Sequence, residues 1–214
     1  VSQVLVAARF MMYSEIVIYI KNLDQRGATI STERKKKLLK IVDFIRSKQK
    51  LGQVAKLTFI CIHNSRRSHL CQIWSAVLVK YLGLDGIQTF SGGTEATTLN
   101  DRIVDTLKKA GFKIESPGGQ NPHYRIFYDE EIEPLVCFSK RFDDSTNPKK
   151  DFAALMTCSE ADQNCPFVSG AVLRLSIPYG DPKEADGTSR EAEAYDDRCL
   201  QIATEMYYML SQLT

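Results

Sequence analysis

Cys61 and Arg67 stand at the two ends of a short loop within LTFICIHNSRRSHLCQIW, residues 57–74. An apolar run leads into the cysteine; Ile62, His63, Asn64, Ser65 and Arg66 follow, and Arg67-Ser68 opens a helical pattern. A loop that leaves a strand and enters a helix aims backbone N–H groups inward, and the helix N-terminus adds partial positive charge, so the loop is an anion cradle. The same field stabilises a thiolate placed at its start. An arginine at its far end offers a planar fork to two oxygens of a tetrahedral oxyanion. These residue types at this spacing predict Cys61 as nucleophile, Arg67 as clamp, Ser68 as a hydroxyl donor to the thiolate and Asn64 as a brace, with the backbone of residues 62–67 receiving the oxyanion. A buried strand-end cysteine followed by a surface arginine would spell the same letters by chance; the strand before and the helix after favour chemistry.

A nucleophile in such a cradle needs an acid for the departing oxygen. Asp181, followed by Pro182 in IPYGDPKEADG, lies just past a predicted strand end and can supply it, although Asp-Pro alone is an ordinary turn signal. Two further thiols stand close in sequence: in FAALMTCSEADQNCP, Cys158 ends a predicted strand and Cys165 follows seven positions later. They could be apolar filler. A zinc pair is disfavoured, because the spacing exceeds the usual one and no histidine flanks it, and no metal site is expected. Were residues 158–165 helical, a rise of about 1.5 Å per residue would part the two Cα atoms by about 10 Å, beyond the roughly 7 Å limit for a disulfide. A bond between them therefore requires the segment to rearrange. Cys71, Cys137 and Cys199 fall in apolar helix or hairpin patterns and read as packing. His69 and His123 read as surface or structural residues, and His63 is given no catalytic role.

The chain that must position these groups has 214 residues, 43% hydrophobic and 25% charged, enough for one main core and a small appended unit. Its formal charge of +2 is too small to suggest a nucleic-acid partner, and the basic run ERKKKLLK reads as a solvated helix face. The first twenty residues are apolar but broken by Arg9 and Glu15 and carry no clear cleavage site, so they read as neither signal nor membrane anchor; Met11 or Met12 could each open a reading frame. A cytoplasmic setting with the six cysteines reduced is the expectation.

STERKKKLLKIVDFIRSKQKLG predicts an amphipathic helix with Ser31 as N-cap and Gly52 closing it, and YSEIVIYIKNL a shorter helix before it. Residues 1–55 are read as an N-terminal helical extension without visible chemistry. After Gly52, strands and helices alternate: KLTFIC, RSHLCQIWSAVLVKYLG, IQTFSGG, TLNDRIVDTLKKAGF, then FAALMTC, AVLRLSIPYG and a closing helix from SREAEAYDD onward. Over residues 56–214 that rhythm predicts an α/β fold, a doubly wound parallel four-stranded sheet covered on both faces, with ligands bound beyond the carboxyl ends of its strands. Between about 115 and 151 the rhythm fails among prolines and glycines, and a hairpin insertion built from HYRIFY and PLVCFS is expected.

CIHNSRRS, SGGTEATTLNDRIVDTLKKAGFKI and the Asp-Pro loop resemble the low-molecular-weight tyrosine phosphatases, and the arsenate reductases that share their fold, over about residues 57–114 and 152–214. The N-terminal helices and the hairpin lie outside the likeness. CSEADQNCP is similar to the Cys-Ser-x-Ala-Asp-x-Asn-Cys-Pro segment of thioredoxin-coupled arsenate reductases, whose cysteine pair simple phosphatases lack. The resemblance implies a reductase without cofactor. In it Cys61 attacks arsenate while Asp181 assists loss of hydroxide, Cys158 resolves the adduct, and Cys165 moves the disulfide outward to a Cys158–Cys165 bond that thioredoxin reduces. The chain departs from the family at His63, where the loop usually has glycine, so either the loop path shifts or His63 takes a positive φ. It departs again at Gln72, where several reductases carry a glutamate that helps hold potassium.

Two other readings compete. Cys61, Arg67 and Asp181 would equally form and hydrolyse a cysteinyl phosphate. KEADG after the acid offers no aromatic wall for a phenyl ring, although Tyr179, Tyr124 or Phe127 could supply one. A non-enzymatic oxyanion sensor is the second alternative, and it would need no relay thiols.

Overall fold

The computed structural model describes residues 11–165 and 167–214. Arg9 and the other residues of the first ten, part of the segment read as neither signal nor anchor, lie outside the described residues. Helices α1 (Ser14–Lys21) and α2 (Thr32–Lys50) precede β1 (Ala55–Cys61), which leads into α3 (Arg67–Tyr81), β2 (Ile87–Gly93) and α4 (Asp101–Lys109). Three short strands follow: β3 (Lys113–Glu115), β4 (Tyr124–Phe127) and β5 (Leu135–Cys137). The chain closes with β6 (Phe152–Met156), α5 (Ser159–Asn164), β7 (Ala171–Ser176) and α6 (Glu191–Ser211). Among the described residues no helix is long and apolar enough to cross a membrane.

The predicted α/β architecture is what forms: a parallel four-stranded sheet in the order β2-β1-β6-β7. Its central strands are buried along almost their whole length, as strands covered on both faces must be. From β1 the chain turns first to β2 on one side and later to β6 on the other, so strand order reverses between β1 and β6. A crevice opens beyond the carboxyl ends of the strands at such a switch point. Cys61 is the last residue of β1, and Cys158 lies two residues past the end of β6. The two strands are tied there, Ile60 opposite Met156 and the Thr157 N–H on the Ile60 carbonyl at 2.7 Å.

HYRIFY and PLVCFS supply β4 and β5, which pair antiparallel, and β3 adds a third strand to this second sheet. Ile16 and Ile20 of α1, Leu38 and Ile41 of α2, Phe59 of β1, Trp74 of α3 and Met206 of α6 share one buried cluster. Each such side chain contributes about 1.5–3 kcal/mol by leaving water. Trp74 stacks on Tyr19 at 4.9 Å, meets the edge of Phe112 at 5.3 Å and donates its N–H to Cys199 Sγ at 3.2 Å. Burial pushes the Cys137 thiol up to about 12 and the Cys199 thiol up to about 11, and both pack in this core.

Ser31 caps α2 as predicted, its Oγ accepting from the Arg34 N–H at 3.2 Å. The reading of ERKKKLLK as a wholly solvated face is corrected at Arg34. Its position on the helix turns it toward α6, where a buried carboxylate takes its charge. Of the two readings of His69, surface or structural, the structural one fits: it is fully buried in the first turn of α3.

Candidate active site

Bonds from outside draw the carbonyls of the Cys61–Arg67 loop away from its concave side. Cys61 O accepts from the Thr94 N–H at 3.1 Å, Ile62 O from the Glu95 N–H at 2.9 Å and Ser65 O from the Asn100 N–H at 3.0 Å. His63 O accepts from Ser139 Oγ at 2.8 Å. A trans peptide plane sets each N–H opposite the preceding carbonyl, so these bonds turn the intervening N–H groups inward. Close backbone approach makes this possible: a Cβ on Gly93 would lie 2.4 Å from the Ile62 carbonyl oxygen and 2.7 Å from the Asn64 nitrogen. The left-handed residue is Asn64, with φ 43°, and not His63. Asparagine tolerates that region far better than most residues, which resolves the question raised by the missing loop glycine. His63 points outward instead, its Nδ1 3.3 Å from Glu95 Oε2.

Cys61 Sγ lies 3.1 Å from Ser68 Oγ. Asn64 Nδ2 donates to that same hydroxyl oxygen at 2.9 Å, which leaves the hydroxyl hydrogen for the sulfur. Asn64 Oδ1 in turn accepts from the Lys140 N–H at 3.0 Å, so the brace spans the loop to the segment after β5. Arg67 Nη2 donates to Asp181 Oδ2 at 2.7 Å and Nη1 to the Tyr179 carbonyl at 2.8 Å. Asp181 Oδ1 accepts from the Lys183 N–H at 3.1 Å. The Arg66 side chain leaves the loop: Nε donates to the Tyr195 hydroxyl at 3.0 Å, which donates to Asp186 at 2.9 Å.

Cys61 and Cys158 belong to one small buried cluster with Ile60, Met156 and Ala161, and Cys165 packs against it. Cys158 stands at the N-cap of α5, its Sγ accepting from the Ala161 N–H at 3.4 Å. Burial pushes its thiol up, while the Ala161 N–H, the Arg67 charge and the Ile62 N–H pull the other way and the neighbouring Cys61 adds to the rise. Cys165 stands at the opposite end of the helix, half-buried, its Sγ donating to the Phe167 carbonyl at 3.4 Å. Burial raises that thiol too, against the charges of Arg174 and Arg141. All six cysteines are free.

Several groups at this site had no signal in the sequence. Ser139 bonds the loop at His63 and accepts from the Thr97 N–H at 2.7 Å, while the Asn121 amide brackets Ser139 with bonds of 2.8 and 3.1 Å. The aromatic candidates do not form a wall beside the acid. Tyr179 is buried beneath Arg34 with its hydroxyl on Glu205, Tyr124 is buried with its hydroxyl on Asp101, and Phe127 packs against the main core. Gln72 is buried and donates to the Thr89 carbonyl at 3.4 Å.

A strand-end cysteine, an arginine opening the next helix and an aspartate beyond a neighbouring strand, carried on this sheet, give the fold of the low-molecular-weight tyrosine phosphatases. The chain superposes on the low-molecular-weight phosphotyrosine phosphatase of Vibrio cholerae O395 with a TM-score of 0.50 and 15% identity, over 74% of this chain and 96% of that one, a likeness of fold. No protein-family model matches the chain. Among curated proteins it is similar to arsenate reductase 2 of Staphylococcus epidermidis, 27% identical over 124 residues, which is 58% of this chain and 76% of the relative. It is also similar to the arsenate reductase of Bacillus subtilis, 27% identical over 140 residues, 65% of this chain and 83% of that one. The resemblance to arsenate reductases on a phosphatase fold, expected from the motifs, is borne out, and with it the expectation of an enzyme of this kind.

Proposed function

We propose that the protein reduces arsenate to arsenite through three thiols, in the cytoplasm, with thioredoxin as electron donor. Arsenate enters the cradle and takes the Arg67 guanidinium from the Asp181 carboxylate. Cys61 Sγ attacks arsenic; its thiol proton, taken up by the Asp181 carboxylate freed from Arg67, passes to the departing hydroxide, which leaves as water, and a cysteinyl-arsenate adduct forms. Cys158 Sγ then attacks Cys61 Sγ. The sulfur–arsenic bond breaks with its electron pair going to arsenic, so As(V) leaves as As(III) arsenite and a Cys61–Cys158 disulfide remains. Cys165 attacks Cys158, Cys61 departs as thiolate, and the dithiol of thioredoxin reduces the Cys158–Cys165 bond. The attack by Cys158 also withdraws the sulfur that caps α5, and the helix must unwind because its ends lie about 10 Å apart against a limit of roughly 7 Å.

The observation that carries this reading is the burial of Cys61 and Cys158 in one cluster at the switch point of the sheet, with Cys165 packed beside it. A phosphatase acting on aryl esters would have no use for the two outer thiols and is left without an aromatic wall. The test is steady-state arsenate turnover with a thioredoxin system. Cys158→Ser should fall to background while inorganic phosphate still shields Cys61 from alkylation, and Cys165→Ser should accumulate a Cys61–Cys158 disulfide visible by mass spectrometry. Full arsenate reduction by Cys158→Ser would leave hydrolysis as the better account.

A further inference from the structure

Arg67 is held from outside its loop. Its Nη1 donates to the Tyr179 carbonyl at 2.8 Å, so the aim of the guanidinium depends on where residue 179 is held. Tyr179 is buried, and its hydroxyl donates to Glu205 Oε2 on α6 at 2.8 Å. The same carboxylate oxygen accepts from Arg34 Nε on α2 at 2.7 Å. Arg34 Nη2 donates to the Ile177 carbonyl at 3.1 Å, and the guanidinium lies 4.4 Å above the Tyr179 ring. One side chain thus touches residue 177 by its backbone and residue 179 by its ring, and reaches the tyrosine hydroxyl through Glu205. The acid, Asp181, is two residues further on. The side chains of the pair are only 14% and 5% exposed, so water screens it far less than an ordinary surface pair.

We propose that Arg34, on a helix that precedes the first strand of the sheet, is a positioning residue for the oxyanion clamp. Through Ile177, Glu205 and Tyr179 it sets the carbonyl that orients Arg67 and the approach of the chain to Asp181. The role rests on the oxyanion chemistry proposed for the Cys61 loop, but it concerns oxyanion binding and not the thiol relay. Lysine is a poor substitute, because a point charge can pair with Glu205 yet cannot bridge to Ile177 and stack on the ring at once.

The test measures the dissociation constant of inorganic phosphate from its protection of Cys61 against iodoacetamide, beside the melting temperature, for wild type, Arg34→Lys, Arg34→Ala and Arg34→Ala/Glu205→Gln. Arg34→Ala alone leaves a buried carboxylate unpaired and loses stability for that reason. The double variant removes both charges, so its melting temperature should return toward wild type while phosphate binding stays about tenfold weaker, and Arg34→Lys should be weakened about threefold. A purely structural role predicts that phosphate affinity recovers together with the melting temperature. Affinity within twofold of wild type in every folded variant overturns the proposal, and greater weakening in the double variant or in Arg34→Lys supports it. If wild type shows no arsenate turnover yet the phosphate shift is present, the reductase reading fails and the positioning role stands.

Discussion

Arg174→Ala should loosen the segment that carries the outer cysteine. From β7, Arg174 Nη2 donates to the Asp162 carbonyl at 2.6 Å and Nε to the Cys165 carbonyl at 3.2 Å, and the side chain pairs with the Asp162 carboxylate at 2.6 Å. Both carbonyls belong to the C-terminal end of α5, a helix of six residues, far too short to hold itself in water. A hydrogen bond from a charged donor contributes about 1–1.5 kcal/mol net in a partly exposed setting, and the ion pair, with about 29% of the carboxylate side chain exposed, adds less than about 1 kcal/mol. Losing the two carbonyl bonds therefore lowers the cost of opening α5 by about 2 kcal/mol, or roughly thirtyfold in the opening equilibrium. Amide exchange of the fully reduced protein reads this directly, because protection tracks the free energy of local opening. Protection across residues 159–165 should fall about thirtyfold, with β1 and β6 unchanged. In the relay proposed above, transfer of the disulfide to Cys158–Cys165 should quicken in the same variant. Unchanged protection in α5, or equal losses in the central strands, would refute the idea that Arg174 is the latch on this segment.

Gly93→Ala would drive a Cβ to within 2.4 Å of the Ile62 carbonyl oxygen, a backbone atom that cannot swing aside. A loss of about 2–3 kcal/mol in unfolding free energy is expected, together with loss of phosphate protection at Cys61. His69 carries a pH dependence, since burial, with the Lys140 charge adding to it, pushes its pKa from 6.5 down to about 3. The unfolded chain takes up the proton near pH 6.5 and the folded chain does not until near pH 3. This part of the stability is therefore complete above about pH 6.5 and is lost as pH falls, about 2 kcal/mol of it between pH 7 and pH 5. Urea unfolding at those two pH values should show that difference in wild type and a flatter profile in His69→Gln.

What was legible in the sequence was local. A run of apolar residues ending in Cys61 and a helix opening at Arg67 define strand, loop and helix with no reference to anything distant, and so do the Asp-Pro turn and the Ser31 cap. Period calls for elements and exposes a face, but it does not name the neighbour. Ser139 holds the loop from 76 residues away, and Arg34 meets Glu205 across 171 residues, so neither contact leaves a trace in spacing. Arg34 read as one of several solvated cations, and only the packing of α2 against α6 separates it from Lys36 and Lys37. His69 read as surface or structural, and only the packing decides for burial, where its Nδ1 lies 3.3 Å from Ser91 Oγ and the Lys140 charge acts on the ring.

The sequence by itself determined the α/β alternation, the strand, loop and helix around Cys61 and the presence of three cysteines placed near strand or helix ends. That Cys61 and Cys158 share one buried cluster was decided by the tertiary structure alone. Each residue lies at or just past the end of a parallel strand, but only the order β2-β1-β6-β7 makes those strands neighbours at the point where the winding reverses. The physical reason is that hydrogen-bonding partners along a buried parallel strand are chemically alike. Which strand lies beside which is settled by how the helices cover the two faces, a property of the whole core and of no single segment.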